Sequence, residues 1–307
     1  MTDLLDHGTL RLSRGAVGGA VSVWGASLVG LDVGGHHLVE PVAGAARPPL
    51  AAGATLVPWP NRVEGATWTN GGAVERLEVS EPATGHALHG LLSGVRWDVA
   101  RQSATAVSLT SGIRHAPGYP FDLDVEVAYS LTPAGVEVRC TTTNVAPSGR
   151  APVAIGAHPY LRCGETPVED LVVTIDAGAA LALDGDGIPR GAFGTAGTPH
   201  DLRDGVVVRD AVPHACLTGL STRGGRARHV LADATGRRTV LWADEVFGYV
   251  QLYVTDLMPG RRAAIAIEPM TAPPDALRSG HGLRWIAAGE SWTARWGIED
   301  EARAPAG

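Results

Sequence analysis

The stretch FDLDVEVAYSL (121–131) constrains the fold of this chain more than any other. Successive side chains of a strand point to opposite faces, so Phe121, Leu123, Val125, Val127, Tyr129 and Leu131 share one face. Asp122, Asp124 and Glu126 take the other. TPAG (132–135) then supplies a turn, and Val136, Val138 and Cys140 resume the alternation, which reads as a hairpin. RLEVS (76–80), RWDVA (96–100), VVVRD (206–210), RTVLWAD (238–244), YVQLYVTD (249–256), AAIAIEP (263–269) and SWTARWGIED (291–300) are further strand candidates. Helical spacing of apolar residues is sustained nowhere beyond about two turns. With 40 glycines and 21 prolines marking turns throughout 307 residues, the pattern predicts an all-β fold, a large antiparallel sandwich or barrel. Neither a repeat nor a rich linker divides the chain, so one domain over 1–307 is expected. The Ala/Pro/Gly-rich segment 40–58 reads as a long loop inside it, and ARAPAG (302–307) as a frayed tail.

Charge narrows the partners. Twenty-five Lys plus Arg stand against 32 Asp plus Glu, a formal charge of −7, and no basic block interrupts the acidity. Nucleic acid and anionic membrane are therefore poor partners, and a small neutral ligand suits the balance. Cys140, Cys163 and Cys216 are odd in number and widely spaced, which fits a reducing compartment rather than a disulfide framework or zinc knuckle. The opening MTDLLDHGTL lacks a charged-then-apolar leader pattern, and no apolar run approaches the ~18 residues of a membrane helix. The expectation is a cytoplasmic protein.

Chemically capable residues concentrate in VPWPNRVEGATW (57–68), GHALHGLLSGVRWDV (85–99), IGAHPYLRC (155–163) and AIAIEPMTAPPDAL (264–277). Glu268 ends the run Ala264-Ile265-Ala266-Ile267. On a strand it shares a face with the two alanines, whose small side chains leave open volume beside it. A carboxylate in such a semi-apolar hollow has its pKa raised, as a general base working near neutrality requires. The bland alternative is an edge-strand glutamate in water. His158 follows VAIGA and precedes a proline that holds it extended; it is either a packed core imidazole or a proton donor with a partner elsewhere. His89 lies beside Gly90, which allows a ligand or another strand to come close, or else it is a loop histidine bonded to backbone. Arg62, stiffened by PWPN, can grip paired hydroxyls or a carboxylate, or form a surface ion pair. Trp59, Trp97 and Trp242 could stack on a sugar face, although burial is the commoner fate of tryptophan. Adjacent His36 and His37 point to opposite faces, and His86 with His89 has metal-ligand spacing only on a helix, which the nearby glycines oppose. Serine-hydrolase elbows and phosphate-binding loops are missing, so neither metal nor nucleotide is called for.

Taken in order, Asn-Arg, Leu-His-Gly, His-Pro-Tyr and Glu-Pro-Met-Thr resemble the aldose 1-epimerase (galactose mutarotase) family, in its bacterial mutarotase-like branch. GYVQLY (248–253), PPDAL (273–277) and the terminal GESW and WGI extend the resemblance over most of the chain. The resemblance implies a galactose mutarotase-like supersandwich with a cleft on one sheet. It implies Glu268 as general base and His158 as general acid. It also implies sugar-hydroxyl contacts from Asn61, Arg62, His89 and Gln251, with Tyr160 beside the acid. One position departs: where the family carries an aspartate that bonds sugar hydroxyls, AVPHACLTGL (211–220) places His214, and neutral imidazole accepts one hydrogen bond and donates one.

The expected activity is interconversion of α and β anomers of a hexose by a monomer or homodimer, without cofactor. One carboxylate and one imidazole suffice for it. Two alternatives stand beside it. One is a sugar-binding protein of the same fold without chemistry. The other is an epimerase for a phosphorylated or sulfonated sugar, with Arg62, Arg47 or Arg162 holding the anion and a charged His214 assisting.

Overall fold

The alternation over 121–131 becomes the strand Leu123–Thr132, whose residues are buried at every second position. It pairs antiparallel with Gly135–Asn144 in the register Leu131↔Val136, Tyr129↔Val138 and Val127↔Cys140, so the apolar residues of both strands share one face. The structure is a computed structural model that describes residues 8–42, 44 and 47–301. Its only α-helix among the described residues is the short Ala276–Ser279. The calls on ARAPAG and on the first seven residues lie outside the described residues.

Two large sheets form the body. The ten-stranded sheet runs, by strand, 98–102, 106–113, 123–132, 135–144, 291–301, 238–244, 226–232, 172–175 and 206–207, with 222–223 attached to 226–232. An eight-stranded sheet runs 189–194, 177–183, 214–220, 249–255, 264–270, 156–157 and 55–56, with 160–161 attached to 264–270. All ladder pairs in both are antiparallel, and a four-stranded sheet over 9–37 packs alongside. One continuous apolar cluster joins them, with Val127, Tyr129 and Trp296 from the large sheet and Val250, Leu252, Ile265 and Ile267 from the other.

Three local expectations are corrected. RLEVS is strand only at Arg76, the last residue of Ala73–Arg76, and beyond it the Ser80 and Glu81 N–H groups go to the His86 carbonyl in a turn instead. VVVRD splits into the strand Val206–Val207 and a 3₁₀ turn Val208–Asp210. Segment 40–58 is not loop throughout: a 3₁₀ turn at Pro49–Ala51 leads into Thr55–Leu56, which closes one edge of the eight-stranded sheet. Trp59, Trp97 and Trp242 are all buried, the burial reading of each. No described helix is long and apolar enough to cross a membrane.

His229 is the oddity of the interior. It is 1% exposed and neither ring nitrogen has a partner. Burial pushes its pKa down to about 4, so the unfolded state binds the proton more tightly. The stability this group contributes is therefore present above about pH 6.5 and lost as pH falls through 4. Replacing it by leucine is expected to flatten the loss of unfolding free energy between pH 6.5 and 4, by no more than about 3 kcal/mol. Urea denaturation at several pH values measures this, and an unchanged slope contradicts it. Ile267→Ala, which opens a void between the sheets, is expected to cost about 2–5 kcal/mol in the same assay.

Candidate active site

Strand 264–270 divides its side chains as the sequence predicts. Ile265 and Ile267 enter the main core, while Ala264 and Ala266 face the other way, with Glu268 on their side by the same period. Register then assembles a polar row. Cys216 stands opposite Gln251, and Gln251 opposite Glu268. Displaced by one pleat, His214, Tyr253, Ala266 and Tyr160 form a second row. Ala264 and Ala266 are fully buried in a side cluster with Ala52, Tyr160 and Met258, so the open volume expected beside these alanines is filled there, and the cavity lies against Glu268, Gln251, Tyr253 and Tyr160.

His158 is delivered by an interruption. Gly156 pairs with Met270 and Tyr160 with Ala266, both on strand 264–270, and His158-Pro159 lies between those two points. The His158 N–H donates to the Ala54 carbonyl at 3.1 Å, and its own carbonyl accepts from Gly53 at 2.8 Å, so the backbone is pinned on both sides. His158 Nε2 stands 3.5 Å from Glu268 Oε1. The imidazole stacks on Tyr160 with centroids 5.1 Å apart.

Asn61 and His89 reach the cavity from a second direction. Both adopt positive φ, 54° and 62°, sparsely populated values for residues with a side chain. They hold each other: the His89 N–H donates to the Asn61 carbonyl at 2.9 Å, and the Asn61 N–H donates to His89 Nδ1 at 3.3 Å. Gly90 allows the close approach expected of it, and the neighbour is the backbone of Val57, with which it forms an isolated parallel bridge. A Cβ there would meet the Val57 carbonyl oxygen at 2.3 Å. Asn61 Nδ2 reaches Gln251 Oε1 at 3.5 Å, tying this loop to the sheet.

Asn61, Arg62, His89, His158, Tyr160, His214, Gln251 and Glu268 all line one cavity of about 590 Å³. Sequence reasoning missed Glu81, Thr84, Tyr253 and the 185–187 turn, which line it too. Glu81 sits in a turn after a stretch misread as strand, and nothing local announces that it meets Arg62. Yet Arg62 Nε and Nη2 donate to its two oxygens, each at 2.7 Å. Arg47 and Arg162 are not in the cavity wall: Arg47 lies over Trp24, and Arg162 is buried against Glu40.

Burial dominates the electrostatics. It pushes the Glu268 carboxyl up to about 8, against the pull of Arg62, and the His158 imidazole down to about 4. The His89 imidazole is driven well below its ordinary value by burial, with His158 and Arg62 adding to it. The His214 imidazole is lowered by burial and by Arg62, with Glu81 opposing. Because the interior penalises either charge alone, the facing pair carries a single proton near neutrality. It is carboxylic acid with imidazole, or carboxylate with imidazolium.

Ligand atoms of His89, His158 and Glu268 lie within 4.8 Å of one another, a spacing that invites a metal reading. The donor set does not fit one well. His89 Nδ1 already accepts the Asn61 N–H, so its other nitrogen carries the hydrogen of the neutral ring and has no lone pair to give.

The family model for aldose 1-epimerase matches residues 9–299. The chain belongs to the aldose 1-epimerase family. A curated relative, the uncharacterized protein YihR of Escherichia coli K12, is 29% identical over 288 residues, covering 92% of this chain and 90% of that protein. The fold is shared with the crystal structure of a putative aldose 1-epimerase from E. coli K12, with TM-score 0.81, 19% identity and coverage of 95% and 98%. It is shared also with galactose 1-epimerase from Lactobacillus acidophilus, with TM-score 0.81, 18% identity and coverage of 95% and 94%. The galactose mutarotase-like fold expected from the motifs is thus present, and in the cavity wall the His214 ring lies 6.0 Å from that of Tyr253.

Two outcomes follow from the geometry alone. A group whose folded pKa is raised stabilises below its unfolded value and loses that contribution as pH rises through the folded one. For Glu268 the window runs from about 4.5 to about 8. Glu268→Gln is therefore expected to match wild type near pH 4.5 and exceed it by about 3–5 kcal/mol near pH 9, read by chemical denaturation; equal stabilities at pH 9 contradict the burial. Gly90→Ala is expected to cost roughly 2 kcal/mol or more, read as a fall in thermal midpoint.

Proposed function

We propose that this protein is an aldose 1-epimerase that interconverts the α and β anomers of a hexopyranose, with Glu268 and His158 exchanging the protons. The observation that carries the reading is the buried pair, 3.5 Å apart at the cavity floor, with Glu268 Oε2 and His158 Nδ1 left without partners. Buried polar atoms without partners are costly and call for a ligand or a chemical reason. O1 and O5 of a pyranose are both bonded to C1, so one hemiacetal edge can meet both groups at once.

The reaction starts from the carboxylate–imidazolium form of the pair. Glu268 takes the proton of the C1 hydroxyl, the O1 electron pair closes to a C1 carbonyl, and the C1–O5 bond breaks. O5 takes the proton from His158. The pair is now carboxylic acid and imidazole, its other one-proton form, which burial favours. Rotation about C1–C2 presents the opposite carbonyl face, and the two transfers reverse as the ring closes. No proton need leave the site, and each transfer is of the kind that contributes ~10²–10⁴ to rate. The His89 ring nitrogen away from Asn61 is a hydrogen-bond donor, while Asn61 and Gln251 offer amide groups to hydroxyls. His214 in neutral form both accepts and donates, so hydroxyl binding at the departed position survives in altered form.

The facing pair favours chemistry over binding alone. An anionic sugar finds less support, since Arg62 is the one arginine of the three invoked that lines the cavity and it is already paired. The cytoplasm is the proposed setting, supported by three cysteines that are all free and buried.

Anomer exchange followed by NMR across a panel of aldoses tests the proposal, and a rate no faster than buffer on every aldose contradicts it. The profile of kcat/KM against pH is expected to be bell-shaped, with limbs near the about 4 of His158 and the about 8 of Glu268.

A further inference from the structure

Arg62 is the only arginine lining the cavity among the described residues, and the chain contains no lysine. Its pairing with Glu81 is not a loose surface contact. Both side chains are about one-fifth exposed, at 19% and 21%, and the fork is bidentate. Glu81 is itself held in place: Thr84 Oγ1 donates to its Oε2 at 2.6 Å. Its N–H donates to the His86 carbonyl at 3.1 Å, and its carbonyl accepts from Gly85 at 3.0 Å. On the far side, Gly187 closes over the guanidinium. A Cβ there would stand 2.7 Å from Arg62 Nη1 and 3.0 Å from His214 Cε1. Arg62, Glu81 and His214 thus form one rigid wall of the cavity.

Resting on the aldose-epimerase reading above, we propose that Glu81 is a specificity-determining residue: by engaging two of the three nitrogens of the cavity's only arginine, it restricts the site to uncharged sugars. A carboxylate or phosphate on the substrate has two ways to be received. It can leave Arg62 where it is and meet a wall with no net positive charge, since burial disfavours the charged forms of His89 and His214 and the Glu268–His158 pair with its single proton has no net charge in either form. Or it can draw Arg62 away and leave Glu81 half-buried without its cation. Both cost affinity, and rejection by leaving a charge unpaired is an effective form of discrimination. A neutral hydroxyl incurs neither cost and can accept from the remaining Nη1.

The test compares glucose with glucuronate, reading buffer-corrected anomer exchange and, in parallel, binding by saturation-transfer NMR. Wild type is expected to prefer glucose at least ten-fold in kcat/KM. Glu81→Gln, which keeps the shape but removes the charge, is expected to cut that ratio at least ten-fold, chiefly through a lower KM for glucuronate. It should also move the upper limb of the glucose pH profile down, because the freed guanidinium favours the Glu268 carboxylate. Arg62→Gln added to Glu81→Gln should abolish the gain for glucuronate, and Glu81→Asp should keep the wild-type preference. Thr84→Val, a milder change for use if Glu81→Gln does not fold, should shift the ratio the same way by a smaller factor. Wild type turning over glucuronate as well as glucose overturns the proposal, as does an unchanged ratio in a folded Glu81 or Thr84 variant. If no aldose is interconverted by any form, the activity reading fails on its own, and the binding ratio decides the role of Glu81 by the same criteria.

Discussion

Everything at the site depends on how one strand is packed. The side chains of 264–270 are split by the pleat, so that Ile265 and Ile267 anchor the eight-stranded sheet in the shared core. Glu268 can then only face the cavity. Pairing with 249–255 sets Gln251 beside it, and interrupted pairing with 156–161 sets His158 against it. A slip of one residue in either register would send Glu268 into the core and an isoleucine into the cavity. The hydrophobic burial that holds the sheet is therefore also what positions the carboxylate, and stability and chemistry share one cause.

That burial also sets the proton count. The same lack of water that packs the isoleucines raises the carboxyl and lowers the imidazole, so the two groups hold one proton between them over the neutral range. Burial favours the form with carboxylic acid and imidazole, and the carboxylate–imidazolium form holds the same single proton, so the two interconvert without exchange with solvent. The Arg62–Glu81 fork belongs to the same arrangement. Arg62 pulls the Glu268 carboxyl down, and Glu81 engages that cation from the other side.

Much of this was legible in the sequence because period two is a local signal. The alternation over 121–131 gave the central hairpin, and the alternation Ala264-Ile265-Ala266-Ile267-Glu268 gave the face of the carboxylate, while the volume expected beside the alanines is filled by Ala52 and Met258. Motif order then brought Asn61, Arg62, His89, His158, Tyr160, His214 and Gln251 together, and all of them line the cavity with Glu268. What could not be read depended on distant backbone. Glu81 meets Arg62 only because a turn, fixed by hydrogen bonds to the His86 carbonyl, folds RLEVS-EP back over the loop that carries Asn61 and Arg62. Arg47 and Arg162 lay close to site motifs in sequence, but tertiary packing directed them to Trp24 and Glu40.

The central claim is that Glu268 and His158 act as one unit on one hemiacetal edge. The most direct measurement is a double-variant cycle on anomer exchange, comparing Glu268→Gln, His158→Gln and the two together at pH 6. Groups that act as a unit lose about as much singly as together, so the double variant should be no slower than the worse single variant, within about three-fold. Losses that multiply would contradict the account, as would either single variant retaining the wild-type rate.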